Sequence, residues 1–344
     1  MESTRRWGRN GPAESLAKDV QKAVEAAVWA PSVHNTQPWS FSHHGSRITL
    51  RADPDRRLGV ADPTGREMLI SCGAALLTLR IAVRWLGYEP QVRLLPDPDR
   101  PNLLADVILG GRAGESEDDR RLYEQIRRRR THRGGFLPGH EISPSLRSAM
   151  ELEARREGAT PLVMEDPHAL RVLAALTEAA ESLQQLDAPY RREYARWAPR
   201  PGTSRPEGVH PAAYPRREPR TEPYFFPGRD FARGQGWGTG PGAGRTGDQD
   251  AVTGLVMLIA TSGDTPCDWL GAGQALQRML LRGAEEDVAA AFHTQALEIP
   301  ELRELIRCRL CGGRYPQMLL RLGRADAAPA SVRRPADQSM TEDF

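Results

Sequence analysis

The sequence predicts an α+β fold made of two similar halves, with central sheets flanked by helices. Three observations point there. First, two long apolar helical stretches echo one another: "GAALLTLRIAVRWLGYEPQV" starts at Gly73 and "GQALQRMLLRGAEEDVAAAF" at Gly273, with Gly73, Ala75 and Leu76 matching Gly273, Ala275 and Leu276. Second, strand-forming sequence follows each stretch. Third, 344 residues give room for two domains or two packed halves with ample core.

Composition narrows the class. Apolar residues make up 39% and charged residues 27%, as in ordinary globular chains. A net charge of +2 points to neither nucleic acid nor a membrane surface as partner. The longest apolar stretches read as too short and too interrupted to span a bilayer. Of the 47 basic residues, only Lys18 and Lys22 are lysines. Genomic base composition explains most of that bias, but arginine favours planar anion contacts, so individual positions are worth testing.

Residues 1–14 read as a disordered tail and 15–115 as the first half. A helix from Leu16 to about Trp29 is capped by Ser15 and carries Val20, Val24 and Val28 on one face. Pro31 stops it. After the polar turn "APSVHNTQPW", "WSFSHHGSRITLRAD" reads as a hairpin around His44-Gly45-Ser46. Asp62 and Pro63 suit the start of the next helix, which is apolar almost all round and therefore central; Gly87 ends it. "EPQVRLLPD" and "LLADVILGG" read as strands.

Residues 116–338 read as the second half. Ser116 caps a helix with acids in its first turn and arginines in its last, matching the dipole. "THRGGF" must be a loop. Helices at about Pro144–Arg156 and Pro167–Leu186 flank the strand "ATPLVM". Residues 199–250 are rich in Pro, Gly and Arg but carry Tyr214, Tyr224, Phe225, Phe226, Phe231 and Trp237. Pure linkers are poor in aromatics, so this loop reads as a lid rather than a free linker. "AVTGLVMLIATSG" is a buried strand, "PCDWLGAGQALQRMLLRGAEEDVAAAF" a long helix, "IPELRELIRCRL" a shorter one and "PQMLLRLG" a strand.

The four cysteines give no metal site. Cys308 and Cys311 form an isolated Cys-x-x-Cys without a second pair, and it falls near a helix end rather than a helix start. His43 and His44 are adjacent on a strand and face opposite ways. Few cysteines and no signal sequence fit a reducing cytoplasm.

The motifs taken in order resemble the flavin-dependent nitroreductase superfamily. "APSVHNTQPWSF" is similar to its Ala-Pro-Ser-x-x-Asn-x-Gln-Pro-Trp-x-Phe motif, and "RRTHRGGF" to its Arg-x-(Ser/Thr)-x-Arg loop. "DPTGREMLISCGAAL", "DWLGAGQALQRMLL", "QALEIPELREL", "PQMLLRLG" and "RRP" resemble the Acg-type NAD(P)H nitroreductase branch. In that superfamily two chains interleave and each flavin lies at their interface. Here the turn stands in the first half and the arginine loop in the second, and each half lacks the other motif. The resemblance therefore implies a pseudo-dimer within one chain, with about one FMN site per chain.

The resemblance also assigns residues. Arg129, Thr131 and Arg133 match the loop at the flavin phosphate, ribityl chain and pyrimidine edge, and Arg333 or Arg334 the basic pair that joins the phosphate pocket. By charge pattern alone the arginine run reads as a solvated helix terminus, and Arg127 and Arg128 stay with that reading. Pro31, Ser32 and Val33 match the turn against the flavin ring, with Asn35 and Gln37 as polar anchors; Gln37 either touches the cofactor or satisfies buried backbone. Trp39 and Phe41 read as core. No catalytic side chain or metal is implied, because the flavin carries the chemistry. The implied partners are NAD(P)H and a small aromatic acceptor, a nitroaromatic or quinone, with the chain a monomer or homodimer. The alternative is a stress protein that sequesters FMN beneath a closed lid with little turnover.

Overall fold

Eleven residues, 28–38, separate the first helix from the first strand; three, 157–159, separate their counterparts in the second half. That is one departure between two halves of one topology; the larger one is the link between the first two strands, two residues (45–46) in the first half and ninety (165–254) in the second. In the computed structural model the described residues are 12–114, 116–213, 215, 220–229, 231, 251–325 and 331–341. The first half runs α1 (Pro12–Ala27), β1 (Trp39–His44), β2 (Arg47–Ala52), α2 (Arg66–Trp85), β3 (Tyr88–Leu94) and β4 (Leu103–Arg112). After α3 (Glu117–Gln125), the second runs α4 (Pro144–Arg156), β5 (Thr160–Met164), α5 (Pro167–Leu186), α6 (Ala188–Arg196), β6 (Leu255–Thr261), α7 (Pro266–Ala284), β7 (Val288–Phe292), α8 (Gln295–Glu298), α9 (Pro300–Leu310) and β8 (Tyr315–Arg324).

The sheets repeat the same order, β1-β2-β4-β3 and β5-β6-β8-β7, with every pair antiparallel. The central helices α2 and α7 meet between them. A methyl group built on Gly73 would lie 2.2 Å from the Leu270 carbonyl oxygen, and one on Gly273 would lie 1.9 Å from that of Ile70. Glycine is required at both positions because the backbones touch. Leu270 and Leu281 of α7 enter the first half's core, while Ile70 of α2 enters the second's. Leu122 of α3 and Ile126 just beyond it also pack on the first core. At the far end of the chain, the Thr341 amide donates to the Phe41 carbonyl at 2.7 Å.

Several elements differ from expectation for identifiable reasons. Helix α1 begins at Pro12, so Ser15 lies inside it rather than capping it; residues 1–11 lie outside the described residues. Helix α2 starts at Arg66, after Gly65 at φ +77°, and Asp62 ties down its first turn by accepting from the Met68 amide at 2.8 Å. Ser116 caps α3 as expected, but that helix stops at Gln125, so the arginines follow it instead of filling its last turn. The long helix expected to 292 ends at Ala284. Asp287 turns the chain at φ +58°, and "VAAAF" pairs with β8 as β7. Alanine favours helix, but an open sheet edge overrides so weak a preference. Helix α6, whose Tyr190 and Tyr194 are buried one turn apart, is an element that the sequence pattern does not predict.

Helix α2 is also, with 20 residues, long and apolar enough to cross a membrane, contrary to the reading that no stretch qualifies. Its apolar window is 83% buried between the two halves, and that burial accounts for its composition.

Candidate functional site

The turn after α1 is folded by its own polar side chains. His34, Asn35 and Gln37 adopt φ of +46°, +54° and +51°, unusual for residues with a side chain. Hydrogen bonds hold the strained shape. Ser32 Oγ accepts from the Gln37 amide at 3.0 Å, and its carbonyl accepts from the Asn35 amide at 3.0 Å. Ser71 of α2 docks the turn, accepting from the Val33 amide at 3.1 Å and donating to the Glu67 carbonyl at 2.7 Å. Asn35 and Gln37 clamp distant loops. Asn35 Nδ2 donates to Gly208 O at 3.1 Å, and Gln37 Nε2 donates to Pro206 O at 2.8 Å.

Facing this turn is the loop after α3. It lies along the edge of the second sheet: Thr131 bridges Ala290, and the His132 amide donates to Ala290 O at 2.8 Å. Between the two loops lies a cavity of about 990 Å³, part of it open to solvent. Pro31, Ser32 and Val33 line one side, with Thr131 and Arg133 opposite and Glu67, Ile70 and Ser71 of α2 between. Phe226, Gly228, Arg229 and Phe231 border it from the long loop. A smaller recess of about 390 Å³ shares Pro31, Ser32, Thr131 and Arg133 with it and adds Asn35 and Arg333.

Three expected residues line neither space. Gln37 is fully buried; its Oε1 accepts from the Arg334 amide at 2.8 Å, which fits the buried-backbone reading rather than cofactor contact. Arg334 points away, donating to the Trp39 carbonyl at 2.9 Å and the Gln37 carbonyl at 3.3 Å; of the terminal pair, Arg333 borders the recess. Arg129 is 4% exposed and donates from Nη2 to Trp29 O at 3.2 Å, while its Nε and Nη1 have no partner among the described residues. Arg333 donates to Asn35 Oδ1 and leaves Nε unpartnered. Burial and neighbouring guanidiniums hold Arg129 well below the ordinary arginine range and bring Arg333 down to about 9. Buried guanidinium nitrogens without acceptors are costly, and an anion beside them relieves that cost.

No family model matches the chain. Curated relatives do. A Mycobacterium tuberculosis protein named "Putative NAD(P)H nitroreductase Rv3131" is 34% identical over 334 residues, covering 94% of this chain and 91% of the relative. The chain belongs to that nitroreductase family. Acg of the same organism, under the same nitroreductase name, is 28% identical over 326 residues, covering 93% of this chain and 94% of Acg. Among solved structures, a Desulfitobacterium hafniense nitroreductase with bound FMN aligns at 13% identity and a TM-score of 0.39, covering 63% of this chain and 96% of that one.

In this nitroreductase-family chain the cavity also holds residues that sequence reasoning passed over. Arg321 of β8 is 2% exposed. It donates from Nε to His293 Nε2 at 2.9 Å and from Nη1 to Thr253 O at 3.1 Å. His293 is therefore neutral, with Nδ1 donating to Pro227 O at 3.2 Å, and burial together with Arg321 holds its pKa well below the usual range. Arg229 donates to Glu298, to Tyr190 Oη at 2.7 Å and to Thr294 Oγ1 at 3.0 Å, anchoring the long loop over the cavity. Burial and the nearby Glu298 push Glu67 up to about 8, against the pull of Arg66, whose Nη2 lies 3.2 Å from its carboxylate. His34 is wedged edge-on against Tyr194 and Phe231, and burial holds it neutral. Tyr214 and Trp237, expected in the lid, lie outside the described residues, as do 216–219, 230 and 232–250.

Among the described residues no cluster of metal-ligating side chains occurs. Cys308 is exposed and Cys311 buried at the end of α9.

Proposed function

We propose that the chain holds one FMN across the two loops and uses NAD(P)H to reduce a small aromatic acceptor, a nitroaromatic or a quinone. One observation carries the reading. The cavity between Pro31–Val33 and Thr131–Arg133 shares its Pro31, Ser32, Thr131 and Arg133 walls with a recess bordered by Arg333, and Arg129 and Arg333 keep buried guanidinium nitrogens without a partner among the described residues. A slot for an aromatic ring system, joined to a cationic pocket for a dianionic phosphate, fits FMN. Bound there, FMN would supply the redox chemistry that couples NAD(P)H oxidation to reduction of the acceptor.

The protein's part is binding, electrostatics and access. Arg129, Arg133 and Arg333 would neutralise the phosphate, with Asn35 fixing the Arg333 guanidinium. Ser32 and Val33 present a strained, pre-formed backbone that Ser71 keeps in place. Arg321, buried and held by neutral groups, adds a positive field to the cavity. Phe226 and Phe231 exclude water from above.

A second reading has a specific observation in its favour. Arg229 fixes the covering loop through Glu298, Tyr190 and Thr294, which suits storage of FMN under a closed cover. Anaerobic rapid mixing of the flavin-loaded chain with NADH and with NADPH separates the two. Flavin bleaching at a rate of turnover supports the reductase. Stable oxidised flavin supports storage, and a chain that takes up no FMN defeats both.

A further inference from the structure

The positive charge beside the site exceeds what one flavin phosphate requires. Arg127, Arg129, Arg130 and Arg333 gather on Trp29. The guanidinium carbons of Arg127, Arg130 and Arg333 lie 5.0, 5.2 and 5.8 Å from the indole centroid. Arg129 and Arg333 both donate to the Trp29 carbonyl, at 3.2 and 3.5 Å. Among the described residues, no carboxylate oxygen lies within 4.0 Å of any of these four guanidiniums. Neighbouring Arg121 and Arg128, by contrast, pair with Asp118 and Asp287.

Electrostatics agree with the geometry. Arg129 is lowered by burial and then by Arg333 and Arg130; Arg130 is lowered by burial and then by Arg127. Arg333 is lowered by burial, Arg130 and Arg133. Every charged neighbour acting on the three is a cation. A phosphomonoester brings about −1.5 to −2 charges at neutral pH, so four guanidiniums leave roughly two uncompensated.

The four also divide by position. Arg129 is buried, and Arg333 borders the recess. Arg127 is exposed and Arg130 half-buried, both against the half-buried Trp29 ring. The indole ring is covered by guanidiniums, so Trp29 serves to hold Arg127 and Arg130 together as a cationic pair that a phosphate can bridge.

We propose that Arg127 and Arg130, held together on Trp29, bind a second phosphate-bearing group, one carried by a dinucleotide. If the FMN reading holds, its source is the 2′-phosphate of NADPH, so the chain prefers NADPH to NADH. The other source of the same chemistry is the additional phosphate of FAD. The identity of the source rests on the FMN reading, whereas the existence of the phosphate site does not.

The test is calorimetric titration of the purified, flavin-loaded chain with 2′,5′-ADP and with 5′-AMP, in the wild type and in R127Q/R130Q, with folding checked by circular dichroism. The wild type should bind 2′,5′-ADP about tenfold more tightly than 5′-AMP, and the variant should lose that preference while retaining FMN. Equal affinities in the wild type together with no preference for FAD over FMN, or a preference that survives in R127Q/R130Q, overturns the proposal. An FAD affinity at least about tenfold above that for FMN, lost in the same variant, sustains the second phosphate and assigns it to the flavin. Tight 2′,5′-ADP binding by a chain that ignores every flavin sustains the phosphate site while defeating the FMN reading.

Discussion

Arg333 Nη1 donates to Asn35 Oδ1 at 2.9 Å, joining residues 298 positions apart in the chain. The same guanidinium donates to the Ala30 carbonyl at 3.2 Å. The end of the chain thus helps build the turn near its beginning, and the recess exists only when both are in place.

From this follows a phosphate-specific prediction. Arg129→Ala should weaken FMN about ten- to hundredfold, as expected for charge-assisted hydrogen bonds, while riboflavin, which lacks the phosphate, changes little. Arg333→Ala should weaken both, because it also releases Asn35. Flavin fluorescence titration of the two variants measures the contrast, and equal losses for FMN and riboflavin in Arg129→Ala would remove Arg129 from the phosphate site.

Close approach of α2 and α7 gives a stability prediction. Gly273→Ala places a methyl group 1.9 Å from the Ile70 carbonyl oxygen, so the helices must separate. The loss should reach at least the upper end of the roughly 1–3 kcal/mol typical of overpacking. Thermal unfolding reads it, and an unchanged Tm would mean that the two helices do not touch there.

Glu67 gives a pH prediction. Its folded pKa, about 8, lies above the ordinary 4.5. Between those values the folded state binds the extra proton, so stability falls as pH rises through about 8. Glu67→Gln keeps the neutral shape and should flatten that fall. Urea unfolding midpoints from pH 5 to 9 test it; a slope identical to wild type would contradict the assignment.

The cover offers a test of access. Replacing both partners in Arg229→Gln/Glu298→Gln avoids stranding one buried charge. If this pair holds the loop down, NAD(P)H oxidation should rise several-fold in the double variant. Unchanged turnover with intact flavin would show that the pair does not gate the site.

Much of this was legible in the sequence. Pro144–Arg156 and Pro167–Leu186 carry caps and periodicity that fix both ends. The 31–37 and 129–133 loops stood out because polar residues and prolines in those orders match a known family. Other features depended on tertiary context. "VAAAF" has helical composition and becomes a strand only because β8 offers it an edge. Gln37 and Arg334 look like ligands in the linear motif, yet they bond to each other and to backbone. Glu67 sits in the first turn of α2, where an acid reads as a dipole partner. Arg321 did leave a signal: a lone cation within the apolar run "MLLRLG" must find a buried role.

If the proposed function holds, each chain carries one composite FMN site, built from the turn of one half and the loop of the other. Flavin released by denaturing the FMN-saturated chain, measured against protein concentration, tests it most directly. One FMN per chain, reduced to none by replacing Arg129 and Arg133 together, is the predicted result. Two per chain, or binding that survives that double replacement, would contradict it.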